Sequence, residues 1–401
     1  MKIEKTSIMY VPDYLTIGLG IFSLIFAISP MYYTFGFSAL HLFIFAFLLT
    51  LWNLYAFKIR SRINYLLITS FVLTTALVSS IAKSDIISLW AALNLIFGMS
   101  FYLSLDRISM EKVVFSATVI LLFIILGGWI TFYDISFGKG TIGQYTTITG
   151  KVIDRGIFSL FYPFWTPVGT FIRSAGIFDE PGAFSFVICS VAILRHSLKM
   201  DKRMTWILLS TGFITLSLAH FIYMIFHLLS ERGFKLKLSI LSSILVASFL
   251  LTISFPEVTP IFDRFGDRFE VNSNSERLIE GDNRSAYIFT NWDILSSGSL
   301  TDLFFGSQEG AVCCNPLQPL VERGLFGAWP YYAMLLIFFS FGVRFKEPAL
   351  IGIALLFMQR PSIQSIGYSF LASAIMVSYL KYGRSSQSIM TFKSRVKSAL
   401  G

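Results

Sequence analysis

The chain has 401 residues, of which 55% are hydrophobic and only 14% are charged. Soluble domains are about a quarter charged, so this composition excludes an ordinary soluble enzyme as well as a disordered chain. Three cysteines exclude a disulfide-dense scaffold and a zinc site of four cysteines. The net charge of +9 is interpreted as membrane topology rather than nucleic-acid binding, because basic residues orient membrane proteins.

Long uncharged segments, taken in chain order, predict the membrane-spanning helices, since a spanning helix needs about 20 apolar residues. No Asp, Glu, Lys or Arg occurs between Asp13 and Lys58, which leaves room for two helices. Further uncharged segments are 63–82, 86–105, 113–133, 181–194, 204–230, 238–256 and 324–343. The sequence therefore predicts an all-α, polytopic integral membrane protein with about 12 transmembrane helices.

Clusters of Lys and Arg predict which loops face the cytoplasm. These clusters lie at 2–5, 58–62, 107–112, 195–203, 232–237 and 344–346 and in the tail from Lys381. For the clusters on either side of 204–230 to face the same compartment, that segment must cross twice, although it is too short for two full spans. We therefore predict two short helices bent around 217–220, with one long tilted helix as the alternative. A second short pair is predicted in 348–380, broken at Arg360-Pro361.

This topology divides the chain into six parts. They are N-terminal transmembrane helices (1–133), a first periplasmic loop (134–175), central transmembrane helices (176–256), a large periplasmic loop (257–323), C-terminal transmembrane helices (324–380) and a basic cytoplasmic tail (381–401). In the first loop, the aromatic segment 158–165 is predicted to lie at the membrane interface. The large loop holds 11 of the 23 acidic residues and several aromatic residues. A loop of this length is usually functional or disordered, and its aromatic content predicts a folded, partly helical one.

The strongest local signal lies where the first external loop leads into a membrane helix. Arg173, Asp179 and Glu180 precede Pro181, which suits the first turn of a helix because it has no N–H to leave unpaired. A purely structural interpretation has Asp179 capping the helix and Glu180 complementing the helix dipole. Two carboxylates and an arginine within eight residues exceed what a cap needs, so we also treat these residues as candidates for catalysis.

A second signal runs through the large loop, where arginine could bind phosphate through paired hydrogen bonds. Arg284 opens an aromatic-rich segment with few other charges and is the best candidate. The residues of interest there are Asn283, Arg284, Tyr287, Trp292, Glu309, Asn315 and Glu322. Arg264, Arg268 and Arg277 are expected to pair with neighbouring acids on a solvated face.

Histidine is informative because none of the four is expected in a large external loop. Of His41, His196, His220 and His227, only His220 lies near the proposed bend, where it is expected to pack rather than to react. A general base on the external side is therefore predicted to be a carboxylate, Glu180 first and Asp179 or Glu309 next. The sequence has no Gly-x-Gly-x-x-Gly, Walker A, His-Glu-x-x-His or Cys-x-x-Cys motif, so we predict no cofactor and no metal.

Three segments in this order resemble the Wzy-type O-antigen polymerases. The first is Arg-x-x-Gly-x-Phe-x-Glu-Pro from Arg173, and the second is Asn-Arg…Trp…Phe-Gly from Asn283. The third is Asn-x-Leu-x-x-Leu-x-Glu-x-Gly-x-x-Gly from Asn315. The resemblance covers roughly residues 170–340, whereas residues 1–130 match only in hydropathy. These polymerases belong with the O-antigen ligases to a superfamily of lipid-linked oligosaccharide transferases.

The resemblance implies a GT-C-like, metal-independent, inverting glycosyltransferase of the bacterial inner membrane, with its active site facing the periplasm. Its donor and acceptor would be undecaprenyl-diphosphate-linked oligosaccharides. The expected partners are the lipid bilayer and a chain-length co-polymerase, and no binding to nucleic acid is expected. Arg173 and Arg284 would hold the diphosphate. The loop residues would bind substrate or position the loop; these are Asn283, Tyr287, Trp292, Asn315 and Glu322.

One departure from the superfamily separates the alternatives. Ligases carry a His just before the third motif, with a Gly ten positions later, and this chain has Cys314 and Gly324 at those places. The missing His argues against an O-antigen ligase that transfers polymer to lipid A-core. A polysaccharide transporter or flippase is less favoured because no repeated halves are visible, and a cell-wall polymerase of the shape-determination type fits the Glu-Pro motif less well.

Overall fold

The computed structural model describes residues 13–28, 62–136, 143–146, 152–155, 159–166, 169–178, 180–231 and 283–383. The predicted spans within 29–57 and 238–256, the first part of the large loop and the basic tail beyond 383 lie outside the described residues. The fold is mostly helical, as predicted.

Twelve α-helices are found in the described ranges. They are α1 (Asp13–Leu24), α2 (Arg62–Lys83), α3 (Ile87–Ser104), α4 (Arg107–Ser136), α5 (Pro181–Ser197), α6 (Lys202–Thr211), α7 (Leu218–Ser230), α8 (Asn283–Ser297), α9 (Leu300–Phe305), α10 (Gln318–Phe345), α11 (Pro348–Gln359) and α12 (Ile366–Ser378). Within the described ranges, three helical stretches are long and apolar enough to cross a membrane: Ile87–Ser104, Arg107–Tyr133 and Gln318–Phe345. Shorter apolar helices accompany them, and together they indicate membrane association without confirming about 12 crossings.

A small β-sheet corrects the all-α prediction. Four strands, β1 (Gly143–Thr146), β2 (Val152–Arg155), β3 (Leu160–Thr166) and β4 (Gly169–Gly176), form an antiparallel sheet in sequential order. The segment 158–165, predicted to be interfacial, largely forms β3, which pairs with β4 along its length. The physical reason is local: β-branched and aromatic residues favour strands, whereas the sequence prediction weighed only apolar length.

Both segments that were predicted to form pairs of short helices are divided into short helices, whereas the predicted membrane crossings stay a prediction. Between α6 and α7 the chain passes through a short 3₁₀ helix, Gly212–Thr215, and then a left-handed residue, Leu216, with φ of 44°. The Nε2 atom of His220 lies 2.8 Å from the carbonyl oxygen of Leu209, so the start of α7 folds back against the end of α6. The break therefore lies slightly before 217–220. In the second pair, α11 ends at Gln359 and α12 begins only at Ile366.

The hydrophobic core surrounds α5, whose residues are almost all buried. Helices α4, α6, α7, α11 and α12 pack against it. The sequence of α5 explains this central position, because apolar or small residues occur on every side of it until Arg195. A helix that is apolar all round is stable only when it is covered all round.

Hydrogen bonds at the helix termini define two ends of the bundle. At one end, Arg107 donates to the carbonyl oxygen of Leu198 at 2.9 Å and Lys381 donates to that of Leu105 at 2.8 Å. We call this the basic end, because the clusters at 107–112, 195–203, 344–346 and Lys381 share it. The grouping that the charge pattern predicts is thus found among these four clusters.

The opposite end carries the start of α5 and the end of α11. There, Asn94 in the middle of α3 donates to the carbonyl oxygen of Gln364 at 2.8 Å. Ser79 near the end of α2 donates to the carbonyl oxygen of Arg323 at 2.8 Å. We call this the loop end, because the sheet and the described part of the large loop lead directly into it.

Candidate functional site

The junction between β4 and α5 positions the first group of predicted residues. Arg173 lies on β4, and its Nε donates to the carbonyl oxygen of Thr215 at 3.1 Å, which ties the sheet to the break between α6 and α7. Gly176 ends the strand with φ of 60°, and a side chain there would meet Ile124 at 2.7 Å. Phe178 stacks on Phe184 of α5 at 5.3 Å between ring centroids. Asp179 lies outside the described residues.

Glu180 precedes α5 but does not cap it through its side chain. Its backbone is extended, its carbonyl oxygen accepts from Ala183 and Phe184, and no side-chain cap bond is made. The carboxylate instead pairs with Arg360, with 2.6 Å between Oε2 and Nη2. The structural interpretation of Glu180 as a complement to the helix dipole is therefore incomplete, because its charge is used across the bundle, 180 residues along the chain.

Arg360 is the residue that the sequence prediction missed at this junction. It follows the last residue of α11, and its Nη1 lies 3.3 Å from the phenolic oxygen of Tyr368 on α12. A Cβ atom at Gly182 would lie 2.6 Å from Nη2, so glycine there makes room for the guanidinium. The signal was visible: Arg360 is a charge at the break of an apolar segment. We interpreted it only as a helix breaker.

The described part of the large loop begins with α8. The side chains of Asn283 and Arg284 lie outside the described residues, so the predicted convergence of Arg173 and Arg284 stays a prediction. Tyr287 is half-buried, whereas Trp292 is 59% exposed. The exposed indole provides an apolar face at the surface of the loop.

Two buried asparagines hold this loop together. The Nδ2 atom of Asn291 donates to Asn315 Oδ1 and to the carbonyl oxygen of Val312, each at 3.0 Å. Asn315 donates in turn to the carbonyl oxygens of Val312 and Tyr287, at 3.1 and 3.3 Å. Leu317 N donates to Asn315 Oδ1 at 3.0 Å. Asn315 was predicted to bind substrate or to position the loop, and these contacts favour the second role.

The remaining predicted loop residues differ in their surroundings. Glu309 is exposed, and its backbone N–H donates to Ser307 Oγ at 3.2 Å. Glu322 accepts from Gln318 Nε2 at 2.7 Å, and its carbonyl oxygen accepts from Lys83. Cys314, at the position of the ligase His, is joined to Cys313 by a disulfide. In that state it offers no thiolate to act as a base.

A kink at Gly324 separates the loop from the rest of α10. Gly324 has φ of 60° and ψ of −176°, and a Cβ atom there would lie 2.3 Å from the backbone of Phe304. No other residue type fits so close to a neighbouring backbone. The kink releases the carbonyl oxygen of Arg323 from the helix, and Ser79 donates to it. The predicted boundary between the large loop and the following membrane helix falls at this kink.

Arg323, just before the kink, is fully buried. Among the described residues, none forms a hydrogen bond to its Nε, Nη1 or Nη2. Its charge interacts electrostatically with Glu322, Tyr332 and Tyr331. An arginine without hydrogen-bond partners in an apolar interior is costly. The charges of Glu322 and Asp85 offset part of this cost, but no described residue accepts a hydrogen bond from the guanidinium. In the sequence, Arg323 occupies a variable position of the third motif, between Glu322 and Gly324, and no role is predicted for it.

His220 is a packing residue, as expected. It is fully buried, with Nε2 at 2.8 Å from the Leu209 carbonyl oxygen and Nδ1 at 3.6 Å from Cys189 Sγ. Gly212 provides the room for its ring, because a Cβ atom there would lie 2.7 Å from His220 Cε1. Both ring nitrogens of His220 therefore have contacts within the core.

The chain was compared with protein-family models, curated proteins and solved structures, and none of them matches.

Proposed function

We propose that the protein is an O-antigen polymerase, a metal-independent inverting glycosyltransferase that joins undecaprenyl-diphosphate-linked oligosaccharide repeat units. In this proposal it lies in the bacterial inner membrane, and the loop end faces the periplasm. The order of the three motifs supports the assignment. So does the grouping of basic clusters at the opposite end, since cytoplasmic loops are rich in Lys and Arg.

The observation that carries the proposal is the state of Arg323. A buried guanidinium that makes no hydrogen bond to the described residues favours an anion as its missing partner. Arginine binds phosphate oxygens through a planar fork of N–H donors. A diphosphate attached to a polyprenyl tail suits this place, because the tail is compatible with an apolar helix bundle and the diphosphate carries the complementary charge.

The chemistry requires a cation near the leaving group. The acceptor hydroxyl oxygen attacks the anomeric carbon of the donor, the bond to the diphosphate oxygen breaks, and the configuration inverts. Negative charge grows on the departing diphosphate, and cations held in place before the reaction stabilise it. Arg323 joins Arg173 and Arg284 as a candidate for this role.

The proton of the acceptor hydroxyl needs a base within hydrogen-bond reach. Glu180 remains our first candidate, with Asp179 and Glu309 as alternatives. In this proposal Arg360 acts as a positioning residue, since it contacts Glu180 Oε2 at 2.6 Å. The pair also fixes the carboxylate at the terminus of α5, where the sheet brings Arg173.

The large loop would bind the sugars. The asparagine network of Asn291 and Asn315 gives α8 and the following segment a defined position. It supports Tyr287 through its carbonyl oxygen and leaves Trp292 exposed. An aromatic ring in that place can pack on the apolar face of a sugar.

The test is deletion of the gene followed by electrophoresis of the lipopolysaccharide. A polymerase predicts loss of the ladder, with lipid A-core carrying one repeat unit retained. Loss of even the single repeat unit would contradict the proposal and indicate a ligase or flippase. As a matched test, the protein in proteoliposomes should extend undecaprenyl-diphosphate-linked repeat units without any lipid A-core acceptor.

A further inference from the structure

Two histidines and a glutamate meet at the basic end, opposite the candidate functional site at the loop end. His196 lies in the last turn of α5, His227 in the last turn of α7, and Glu231 directly after α7. One ligand atom from each of the three lies within 4.8 Å of the others. His227 and Glu231 are buried, and His196 is 17% exposed. The group is therefore enclosed but reachable from one side.

The hydrogen bonds of each residue leave one atom directed to the others. His196 uses Nε2 for Glu347 Oε2 at 2.9 Å, and its Nδ1 lies 3.9 Å from Glu231 Oε1. His227 uses Nδ1 for the phenolic oxygen of Tyr223 at 3.3 Å, so Nε2 is the nitrogen left for a ligand. Glu231 uses Oε2 for Lys202, which leaves Oε1 on the side of His196.

We propose that these three residues, His196, His227 and Glu231, bind a first-row divalent transition-metal ion such as Zn²⁺. Imidazole nitrogens and a carboxylate oxygen are its ordinary ligands, whereas Ca²⁺ and Mg²⁺ prefer oxygen alone. Tetrahedral zinc with bonds of about 2.0–2.1 Å places its ligand atoms roughly 3.3 Å apart. The 3.9 Å separation of His196 Nδ1 and Glu231 Oε1 closes to that value with a small side-chain movement.

The surroundings of the three ligands match those of protein metal sites. A metal-bound histidine donates its other N–H to a carboxylate, carbonyl or water, which fixes its tautomer and ring orientation. Glu347 stands in that relation to His196, and the phenol of Tyr223 does so for His227. Histidines that merely fill space do not need this arrangement on both rings at once.

Lys202 is the group that opposes the proposal. Its ammonium pairs with Glu231 Oε2 and already supplies a positive charge. The ammonium does not block the site, because it contacts Oε2 and the metal would bind through Oε1. The ion would then connect the ends of α5 and α7, and through Lys202 and Glu347 also the starts of α6 and α11.

The sequence contains none of the short metal-binding motifs, so no metal is predicted from it. His196 and His227 are 31 positions apart, and they meet only because α6 and α7 form a short hairpin beside α5. The proposal is independent of the transfer reaction, since it concerns the opposite end of the bundle.

The experiment uses the full-length protein in detergent, with Zn²⁺ and Co²⁺ as probes. Equilibrium dialysis with elemental analysis should give one zinc per chain, and bound Co²⁺ should show the visible absorption of a tetrahedral site that zinc removes by competition. Glu231→Gln and His227→Ala should lose this binding. Glu347→Gln should bind about 10–100-fold more weakly, the usual effect of removing a hydrogen-bond partner from a ligand.

Glu111→Gln is the matched control, because Glu111 is an exposed carboxylate at the same end of the bundle. It should bind zinc as the unchanged protein does. Lys202→Met keeps the three ligands and removes the opposing ammonium, so it should bind zinc at least as tightly as the unchanged protein. This test does not depend on whether His227→Ala folds. Absence of binding by both the unchanged protein and Lys202→Met overturns the proposal. So does stoichiometric binding that persists in a folded Glu231→Gln protein.

Discussion

The two ends of the bundle each bury an arginine, and the two arginines differ in their partners. At the basic end, Arg195 is buried and donates from Nε to Thr205 Oγ1, from Nη1 to Thr118 Oγ1 and from Nη2 to the Asp201 carbonyl oxygen, all at 3.0–3.1 Å. At the loop end, Arg323 is buried without a hydrogen-bond partner among the described residues. The first guanidinium has its hydrogen-bond donors matched within the fold, whereas the second is the one that, in our proposal, binds the diphosphate.

The ion pairs of the two ends also differ, in their exposure to solvent and in the segments that they join. Arg107 and Glu111 form a pair of 2.7 Å one turn apart on α4, and their side chains are 45% and 38% exposed. Arg360 and Glu180 form a pair of 2.6 Å between distant segments, with side chains 13% and 29% exposed. An exposed pair within one helix contributes little, so a substitution there should be mild. A shielded pair that joins two helix termini holds a carboxylate in place.

The largest effect is expected from Glu180→Gln. The amide keeps the size of the side chain but cannot accept the proton of the acceptor hydroxyl. A general base contributes typically about 10²–10⁴-fold, so polymer formation by membranes of normal protein content should fall by that order. The length distribution of lipopolysaccharide and the transfer rate in proteoliposomes measure it.

Two further variants locate the base if it is not Glu180. Asp179→Asn and Glu309→Gln each remove another candidate carboxylate without changing the size of the side chain. Near-normal polymer from Glu180→Gln, together with inactivity of either variant, would move the catalytic role to that residue. Arg360 would then hold Glu180 for structural reasons alone.

Arg323→Met is expected to separate activity from stability. Loss of one charge-stabilising donor costs about 10²–10³-fold in a transfer step, so polymer should decrease by that factor. The free energy of unfolding should stay constant or rise, because replacing a buried charge by an apolar side chain of similar size is often neutral or stabilising. Thermal unfolding in detergent measures the second effect.

The control for this variant lies on the same helix. Arg344 is an exposed residue in the last turn of α10 at the basic end. Arg344→Met removes the same charge from α10 and should leave polymer formation unchanged. A marked loss of stability in Arg323→Met would contradict our interpretation, because it would mean that the native protein already compensates the charge.

Arg195→Met should show the opposite behaviour. Thr118, Thr205 and the Asp201 carbonyl lose a charged donor, and leaving buried polar groups less satisfied costs about 1–3 kcal/mol. We expect that loss in the free energy of unfolding, with the activity of the remaining folded protein preserved. Arg203→Met, an exposed change on α6, should alter stability by less than about 0.5 kcal/mol. Equal free energies of unfolding for Arg195→Met and Arg203→Met would contradict the contrast drawn between Arg195 and Arg323.

Patterns along the chain predicted the features that depend on local composition. The absence of charges marked the apolar helices, and basic clusters grouped the termini that meet at the basic end. The two short helix pairs were predicted because full spans do not fit the available length. Pro181 marked the start of α5 and Gly324 marked the boundary in α10. Each of these signals depends on residues that lie close together in the sequence.

Features that depend on tertiary contacts were missed. Nothing near Glu180 indicates that its partner is Arg360, because the pair exists only when α5 and the end of α11 are adjacent. The sheet was missed because hydropathy alone does not distinguish an apolar strand from an interfacial segment. Arg323 looked like one more loop arginine, since burial is set by α2, α3 and α9 packing around α10.

The smallest effect is expected from Glu111→Gln, which tests whether the exposed pair of Arg107 and Glu111 contributes as little to stability as the comparison of the two ion pairs predicts. Removing the carboxylate ends the pair with Arg107, whose Nη2 still donates to the Leu198 carbonyl oxygen. Exposed pairs one helical turn apart contribute about 0.3–0.5 kcal/mol, so thermal unfolding should shift only slightly. The shift should shrink further at high salt, because exposed charges are screened. A loss above about 1 kcal/mol would show that charges at the basic end also hold distant segments together, and the distinction between the two ion pairs would fail.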